Sequence, residues 1–466
     1  MHQHRICDTC INRARFCRDI PTLPDVNMGK ILVTGASGYI GGRLFPELLI
    51  RGYQVRLMIR EESPIYKNLW PDVEVAVADA LNRVQLKQAL AGIDTAYYLI
   101  HSLYLGPKAF SAADIQAAVN FRETAEEQQV KRIIYLGGLG DVKASLSAHL
   151  RSRIEVAEEL KKNRPSTTIL RAAIIIGSGS ASYEILQHLA KNLPLILIPP
   201  WAKNKCQPIG VRDVIKYLVG VLETQGTEGE DFDIGGREIL TYEKMLKIIV
   251  RVLHKKTLFI PSPFSIIRFF AYLASLITPV PNAITQCLME GLSNEVVCRN
   301  ESIKKFLSFE PSTYKTAIVR AMRREDQDMV HTRWSDSYPS ACESAVRLDT
   351  LKEKPHYIVR YSLLTKNKPS LLFGSICRIG GKKGWFRSNW MWRLRGMIDK
   401  ILLGVGTQRG RKSLSHLDIN DVIDFWRVEN LEENRRLLLR AEMKIPGRAW
   451  LEYSGPGKLD QKPGLN

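Results

Sequence analysis

The run Val33-Thr34-Gly35-Ala36-Ser37-Gly38-Tyr39-Ile40-Gly41-Gly42 constrains this chain more than any other stretch. It follows the apolar Ile31, Leu32 and Val33 and precedes a helical pattern through Leu44, Phe45, Leu48 and Leu49. A strand, a sharp glycine turn and a helix start together form a phosphate cradle. Glycine permits a tight bend and close backbone approach, and the amides at a helix N-terminus face an anion. The spacing Gly-x2-Gly-x2-Gly puts Gly35, Ser37, Gly38, Tyr39, Ile40 and Gly41 around such a diphosphate. A glycine-rich loop packed only for structural reasons is the plainer alternative. The position between strand and helix favours the cradle.

From Gly29 to about residue 222 the pattern alternates between strand and helix. Strands are predicted at 53–60, 73–79, 95–100, 132–136 and 167–171, with helices at 86–90, 109–129 and 153–162. Such alternation implies an α/β, Rossmann-type, doubly wound parallel sheet with its ligand at the carboxyl ends of the strands. Those ends carry Gly35, Arg60, Asp79 with Ala80, His101 and Gly137. Residues 223–325 loosen into a smaller substrate lobe, with 231–236 as a strand and turn. Polar residues 326–343 read as a linker. An α+β domain follows from 344, with antiparallel strands predicted at 356–363, 421–428, 435–442 and 449–453.

A length of 466 residues implies two or three domains. The net charge of +19 permits attraction to nucleic acid, anionic lipid or acidic ligands. Its cations are spread along the chain, so no nucleic-acid role is expected, whereas peripheral membrane contact is compatible with it. Scattered cysteines (Cys206, Cys287, Cys298, Cys342 and Cys377) suit a reducing, cytoplasmic setting without a disulfide framework. Cys7 and Cys10, with Cys17, His2 and His4, lack a second spaced pair, and no metal centre is expected. Residues 1–27 read as a disordered extension ahead of Met28, without the apolar core of a secretory signal. The apolar stretch 264–277 is interrupted by Arg268 and is shorter than the roughly 20 residues that cross a bilayer. It reads as a helix with one buried face, part of a substrate wall.

Together with the glycine turn, the strand end Val55, Arg56 and Arg60, the segment Tyr98-Leu99-Ile100-His101-Ser102, residues 132–139 and Val211-Arg212-Asp213-Val214 carry a resemblance. Over residues 30–307 the chain resembles an atypical short-chain dehydrogenase/reductase of the NAD(P)-binding, NmrA-like type. Residues 276–281 and 289–292 fit a bacterial branch in which that fold is fused to a C-terminal domain of unknown function. Asp424-Phe425-Trp426-Arg427-Val428 and residues 404–406, 409–411 and 439–444 resemble that domain. It is similar to START-like helix-grip modules, which hold apolar ligands under a long C-terminal helix. Since this chain ends at Asn466 without such a helix, the module at 344–466 is expected to be truncated.

NAD selection ordinarily uses an acid after the second strand to hold the ribose. Arg60 stands there instead, and its guanidinium matches a 2′-phosphate, so NADP is expected over NAD. Arg56 points the same way by strand alternation and competes for the role. Asp79 resembles the acid that contacts the adenine. Its alternative role is to cap a helix that starts at Ala80.

The resemblance implies a serine and a Tyr-x3-Lys pair. In their place stand Ser145 or Ser147, His149 and Arg153. The spacing puts His149 and Arg153 on one helix face. An imidazole with a pKa near about 6.5 can exchange a proton, while a guanidinium can only hold ribose or phosphate. An exposed helix start with no chemistry is the competing reading. His101 orients cofactor or substrate, or else satisfies its own loop.

Three functions follow. The first is NADP-dependent reduction of a small apolar carbonyl or quinone-like substrate. The second is a non-catalytic sensor or assembly protein. In the third, the C-terminal domain binds an apolar ligand, with the basic aromatic run 382–393 touching lipid.

Overall fold

The computed structural model describes residues 29–60, 70–101, 110–140, 147–326, 332–337 and, with short gaps, 348–455. The cluster of Cys7, Cys10 and Cys17, along with Ser102, Ser145 and most of 326–343, lies outside the described residues. Seven strands form one sheet: β1 (Ile31–Thr34), β2 (Val55–Ile59), β3 (Glu74–Val77), β4 (Thr95–Tyr98), β5 (Arg132–Gly138), β6 (Ser166–Ala172) and β7 (Asp231–Ile234). All pairs are parallel, in the order β7-β6-β5-β4-β1-β2-β3.

Helices cover both faces, which is why the strands read as continuous apolar runs. Ile31, Val33, Leu57 and Ile134 face α1 (Gly41–Ile50), whose Leu44, Phe45 and Leu48 share one core with them. The alternate residues Leu32, Met58, Ala96 and Ile133 face the other way, toward α2 (Arg83–Leu90), α3 (Phe110–Glu127) and α4 (Ala148–Lys161). α4 starts earlier than the sequence pattern predicts. Sheet order reverses between β1 and β4, the switch point at which such folds open a crevice.

One strand corrects the sequence reading. Residues 231–234, assigned above to the loosened lobe, are the seventh strand of the main sheet, beside β6. Their acid is satisfied in place: buried Asp233 accepts from Arg171 Nε (2.8 Å) and from the amides of Arg299 and Asn300 (2.9 Å each).

Beyond the sheet, α5 (Ala181–Asn192) and α7 (Tyr242–Val252) pack with α10 (Tyr314–Asp326) around Tyr183, Met245, Ile249 and Ile318. The apolar stretch forms α8 (Ile267–Ile277), which buries Ala271, Ala274 and Ser275 and is followed by α9 (Asn282–Glu290). Among the described residues no helix is long and apolar enough to cross a membrane.

The C-terminal domain has α11 (Pro369–Ile376), α12 (Asn389–Ile401) and a four-stranded antiparallel sheet in chain order: β8 (Val422–Ile423), β9 (Trp426–Glu432), β10 (Arg436–Ala441) and β11 (Trp450–Ser454). Trp385, Trp392, Phe425 and Trp426 stack in its core, with ring centroids 5.4 to 6.2 Å apart. The strand predicted at 356–363 is absent among its described residues, and Tyr357, Ile358, Val359 and Tyr361 are exposed.

Among the described residues, polar contacts join the domains at two places. Lys400 Nζ, buried, donates to the carbonyls of Ser275 and Thr278 at the end of α8 (2.7 Å each). The stretch predicted as a linker is, at 332–337, packed against the nucleotide-side turn. Thr332 Oγ1 donates to the Tyr39 carbonyl (3.2 Å), the Trp334 amide to Gly179 O (2.9 Å), and Arg427 Nη2 to Ser335 O (3.2 Å).

Burial, aided by the charge of Arg409, pushes the Lys400 ammonium down to about 7. The unfolded chain therefore binds more protons at this site between about pH 7 and pH 10, and stability from this group rises over that window. Urea unfolding of the whole chain across the window should show this rise, and Lys400→Met should flatten it. An identical slope in the variant would contradict the buried placement.

Candidate nucleotide site

The cradle begins with Thr34, the last residue of β1. Its hydroxyl donates to Tyr97 O (3.0 Å) and accepts from the Leu99 amide (2.9 Å), so the ends of β1 and β4 are held together. Gly35 follows at φ +61, and a Cβ there would stand 2.8 Å from Leu99 O. The Gly38 amide closes the turn on Gly35 O (2.9 Å). Gly41 carries the tightest restriction, because its Cβ would lie 2.3 Å from the same carbonyl. At Gly38 the corresponding distance is 3.1 Å. α1 then starts at Gly41 with no side chain capping it, which leaves its first turn suited to an anion.

Ser37, Gly38, Tyr39 and Ile40 are all partly buried in this turn. Ile40 also packs on the core. The Tyr39 ring lies under the Arg43 guanidinium (4.7 Å), and its hydroxyl meets Gly177, so the side chain turns into the fold and only the backbone belongs to the cradle. Arg43, which the sequence reading passed over, donates to Ser178 O (2.7 Å) and fixes α1 against the β6 side.

Arg60 stands exposed directly after β2. Arg56 pairs with Glu74 (2.7 Å) and donates to the carbonyls of Ala89 and Ala91. Asp79 accepts from the Leu81 amide (2.9 Å) and so shapes the turn after β3. It does not cap the helix. That role belongs to Asn82, which accepts from Val84 and Gln85 ahead of Arg83. Ala80 is buried, and its carbonyl takes a hydrogen bond from buried Asn120 (3.2 Å), a support on α3 with no motif to betray it. Gly137 is buried in β5, where a Cβ would press on the Tyr135 ring.

His149 and Arg153 do share one face of α4, and they face His101. His101 is exposed just beyond the end of β4. Desolvation by the protein around it, then the charges of Arg153 and Arg60, lower its pKa to about 4. Its exposure tempers the shift without restoring a charge at neutral pH. His149 is lowered further, to about 3, by desolvation and then by Arg153 and His101. The expectation of an ordinary imidazole pKa is thus corrected: both rings are neutral, and the fixed charges are the arginines. Arg153 donates to Leu136 O (2.6 Å) and lies over the Tyr135 ring (5.2 Å), so it is anchored at the β5 end. Ser147 is the N-cap of α4, accepting from the Leu150 amide (3.3 Å), and does not replace a catalytic serine.

The glycine cradle, uncapped helix and Arg60 fit a dinucleotide. Among the described residues no group of His, Cys, Asp and Glu is placed to hold a metal. A separate cavity of about 480 Å³ between α7 and α10, lined by Ile248, Val252 and Val319, holds none of the crevice residues. In the C-terminal domain a cavity of about 190 Å³ is lined by Trp385, Trp392, Asn389 and Asp424. It is smaller than the roughly 300 Å³ of ordinary ligand pockets and partly polar.

Two measurements test this geometry. Gly41→Ala should lower thermal stability and nucleotide binding far more than Gly38→Ala, because only the former drives a Cβ into backbone. Equal effects would mean a different turn. Ring-proton NMR should show no titration of His101 or His149 between about pH 5 and pH 8, and a midpoint near the ordinary value for His149 would make it a mere exposed helix start.

The comparisons with known proteins agree with this crevice. Residues 35–190 match the NAD(P)H-binding domain model, and residues 352–455 match a protein of unknown function, DUF2867. The chain is 26% identical over 247 residues to the mitochondrial NADH dehydrogenase [ubiquinone] 1 alpha subcomplex subunit 9 of Arabidopsis thaliana, covering 51% of this chain and 61% of that protein. It is 23% identical over 257 residues to the chloroplastic divinyl chlorophyllide a 8-vinyl-reductase of Cucumis sativus, covering 52% and 61%. The chain thus spans about three fifths of the length of these relatives. The triphenylmethane reductase of Citrobacter sp., solved with NADP(H), superposes with a TM-score of 0.52 at 20% identity, over 63% of this chain and 99% of that one. At that identity the likeness is one of fold. The chain therefore carries an NAD(P)-binding Rossmann domain followed by a DUF2867 domain.

Proposed function

We propose that this protein is an NADP-dependent reductase of the short-chain dehydrogenase type, acting on a flat apolar substrate with a carbonyl or quinone oxygen. The observation that carries the cofactor choice is Arg60, an exposed guanidinium directly after β2 at the position where NAD selection ordinarily uses an acid. Bound NADPH supplies the hydride. The glycine turn would hold its diphosphate, and Arg60 would hold the 2′-phosphate through a charge-assisted contact.

The reacting oxygen is served by neutral donors. His149, uncharged, donates an N–H to the substrate oxygen as negative charge develops on it, a role a low-pKa imidazole performs well. Arg153, anchored on Leu136 O, adds a fixed positive charge behind that imidazole. The proton that completes the alcohol comes from bulk solvent. The reductase relative named for a chlorophyllide supports a flat apolar substrate.

A second reading rests on His149 and Arg153, which stand where the resemblance implies a Tyr-x3-Lys pair, and on the relative that is a subunit of NADH dehydrogenase. In it the crevice binds NADP as a structural or sensing element.

Fluorescence titration with NADPH and NADH tests the shared premise. Arg60→Glu should weaken NADPH by about ten- to a hundredfold and change NADH by less than about threefold. Equal loss of both nucleotides would remove Arg60 from the site. NADPH oxidation with a panel of quinones and triphenylmethane dyes separates the readings. Turnover that falls at least tenfold in His149→Phe supports the reductase. No turnover with intact NADPH binding supports the accessory role.

A further inference from the structure

α12 presents an unpartnered apolar stripe. Trp390, Leu394, Met397, Ile398 and Ile401 recur at helical spacing, and each is 43 to 66% exposed. Trp392, on the opposite side, is packed in the domain core. The stripe continues onto the first domain: Tyr272 Oη donates to Ile401 O (3.5 Å), and Phe269 lies one turn earlier on the same face of α8. Phe269, Phe264 and Ile266 are again exposed. Buried Lys400, bonded to Ser275 and Thr278, locks the two helices together, so the apolar surface is one rigid face made by two domains.

The charge along this face is predominantly positive. Between residues 356 and 411 the sequence has a single acid, Asp399, amid many lysines and arginines. Asp399 is fully buried, accepting from the amides of Gly406 (2.8 Å) and Lys444 (2.7 Å). Between residues 261 and 281 the one charged residue is Arg268. Its exposed side chain lies 3.8 Å from the half-buried Glu290 carboxylate, and Arg393 on α12 is exposed as well. Exposed apolar side chains, aromatic residues at both ends and cations at the rim suit an interfacial surface for anionic lipid. A second copy of the chain would bring the same positive rim against itself.

We propose that the face formed by α12 and the start of α8 docks onto an anionic bilayer surface without crossing it. The apolar stripe enters the headgroup region, and Arg268 and Arg393 meet lipid phosphates. The proposal is independent of the nucleotide reading, since none of these residues belongs to the crevice.

Vesicle flotation with the full chain tests it, comparing phosphatidylcholine vesicles with vesicles that also contain phosphatidylglycerol. The protein should float with the anionic vesicles, release at high salt and leave phosphatidylcholine vesicles largely bare. The triple variant Leu394→Glu, Met397→Glu, Ile398→Glu should lose at least about tenfold in partitioning, and Arg268→Glu with Arg393→Glu should lose about tenfold while keeping the apolar stripe. Sedimentation velocity accompanies both variants. Failure of the wild-type chain to float, or equal flotation of the variants, overturns the proposal. So does a dimer that the triple variant splits without any vesicle binding, because the face would then belong to a second copy. Retained nucleotide binding in both variants shows that any loss is local to this face.

Discussion

The short link between the ends of β1 and β4 governs the rest of the molecule. Thr34 has one hydroxyl, and it both donates to β4 and accepts from the residue after it. This fixes where Gly35 must bend, and Gly35 in turn fixes how closely α1 can approach through Gly41. No other residue type fits at Gly41 without moving backbone. The crevice at the switch point is therefore a consequence of strand pairing, and its rigidity is inherited from the sheet core on both faces.

The electrostatics of the crevice follow from burial more than from sequence. Burial lowers the pKa of His101 and His149, and the neighbouring arginines lower it further. The site thus sets neutral hydrogen-bond donors beside positive side chains. That arrangement suits a multiply charged nucleotide. It does not suit proton exchange by His149 itself, which the spacing alone had suggested.

Much of the fold was legible because parallel strands buried on both faces are written as apolar runs, and the glycine turn marks where the first of them ends. The seventh strand was harder to read, since Asp231 and Asp233 give it the look of a surface segment. Only the structure supplies the Arg171 side chain and the two amides that make Asp233 tolerable inside. The reverse error occurred at 356–363, where alternation promised a strand. Alternation reports a half-buried pattern, not the neighbour that would bury it, and the exposed Tyr357 and Tyr361 have none of the shielding a sheet would give. At the candidate site the backbone positions were readable from glycine spacing. Arg56 and Arg60 were not separable by pattern, because the partners that occupy Arg56 lie on β3 and after α2, far away in sequence.

The segment at 332–337 ties the two halves by a route that the word linker hides. The methyl of Thr332 sits 2.6 Å from where a Cβ on Gly42 would stand, its hydroxyl holds Tyr39 O, and three residues later Ser335 is gripped by Arg427 of the C-terminal sheet. Cutting the chain at residue 326 would not yield a clean first domain: it would strip a packed layer from the outer side of the helix start at Gly41.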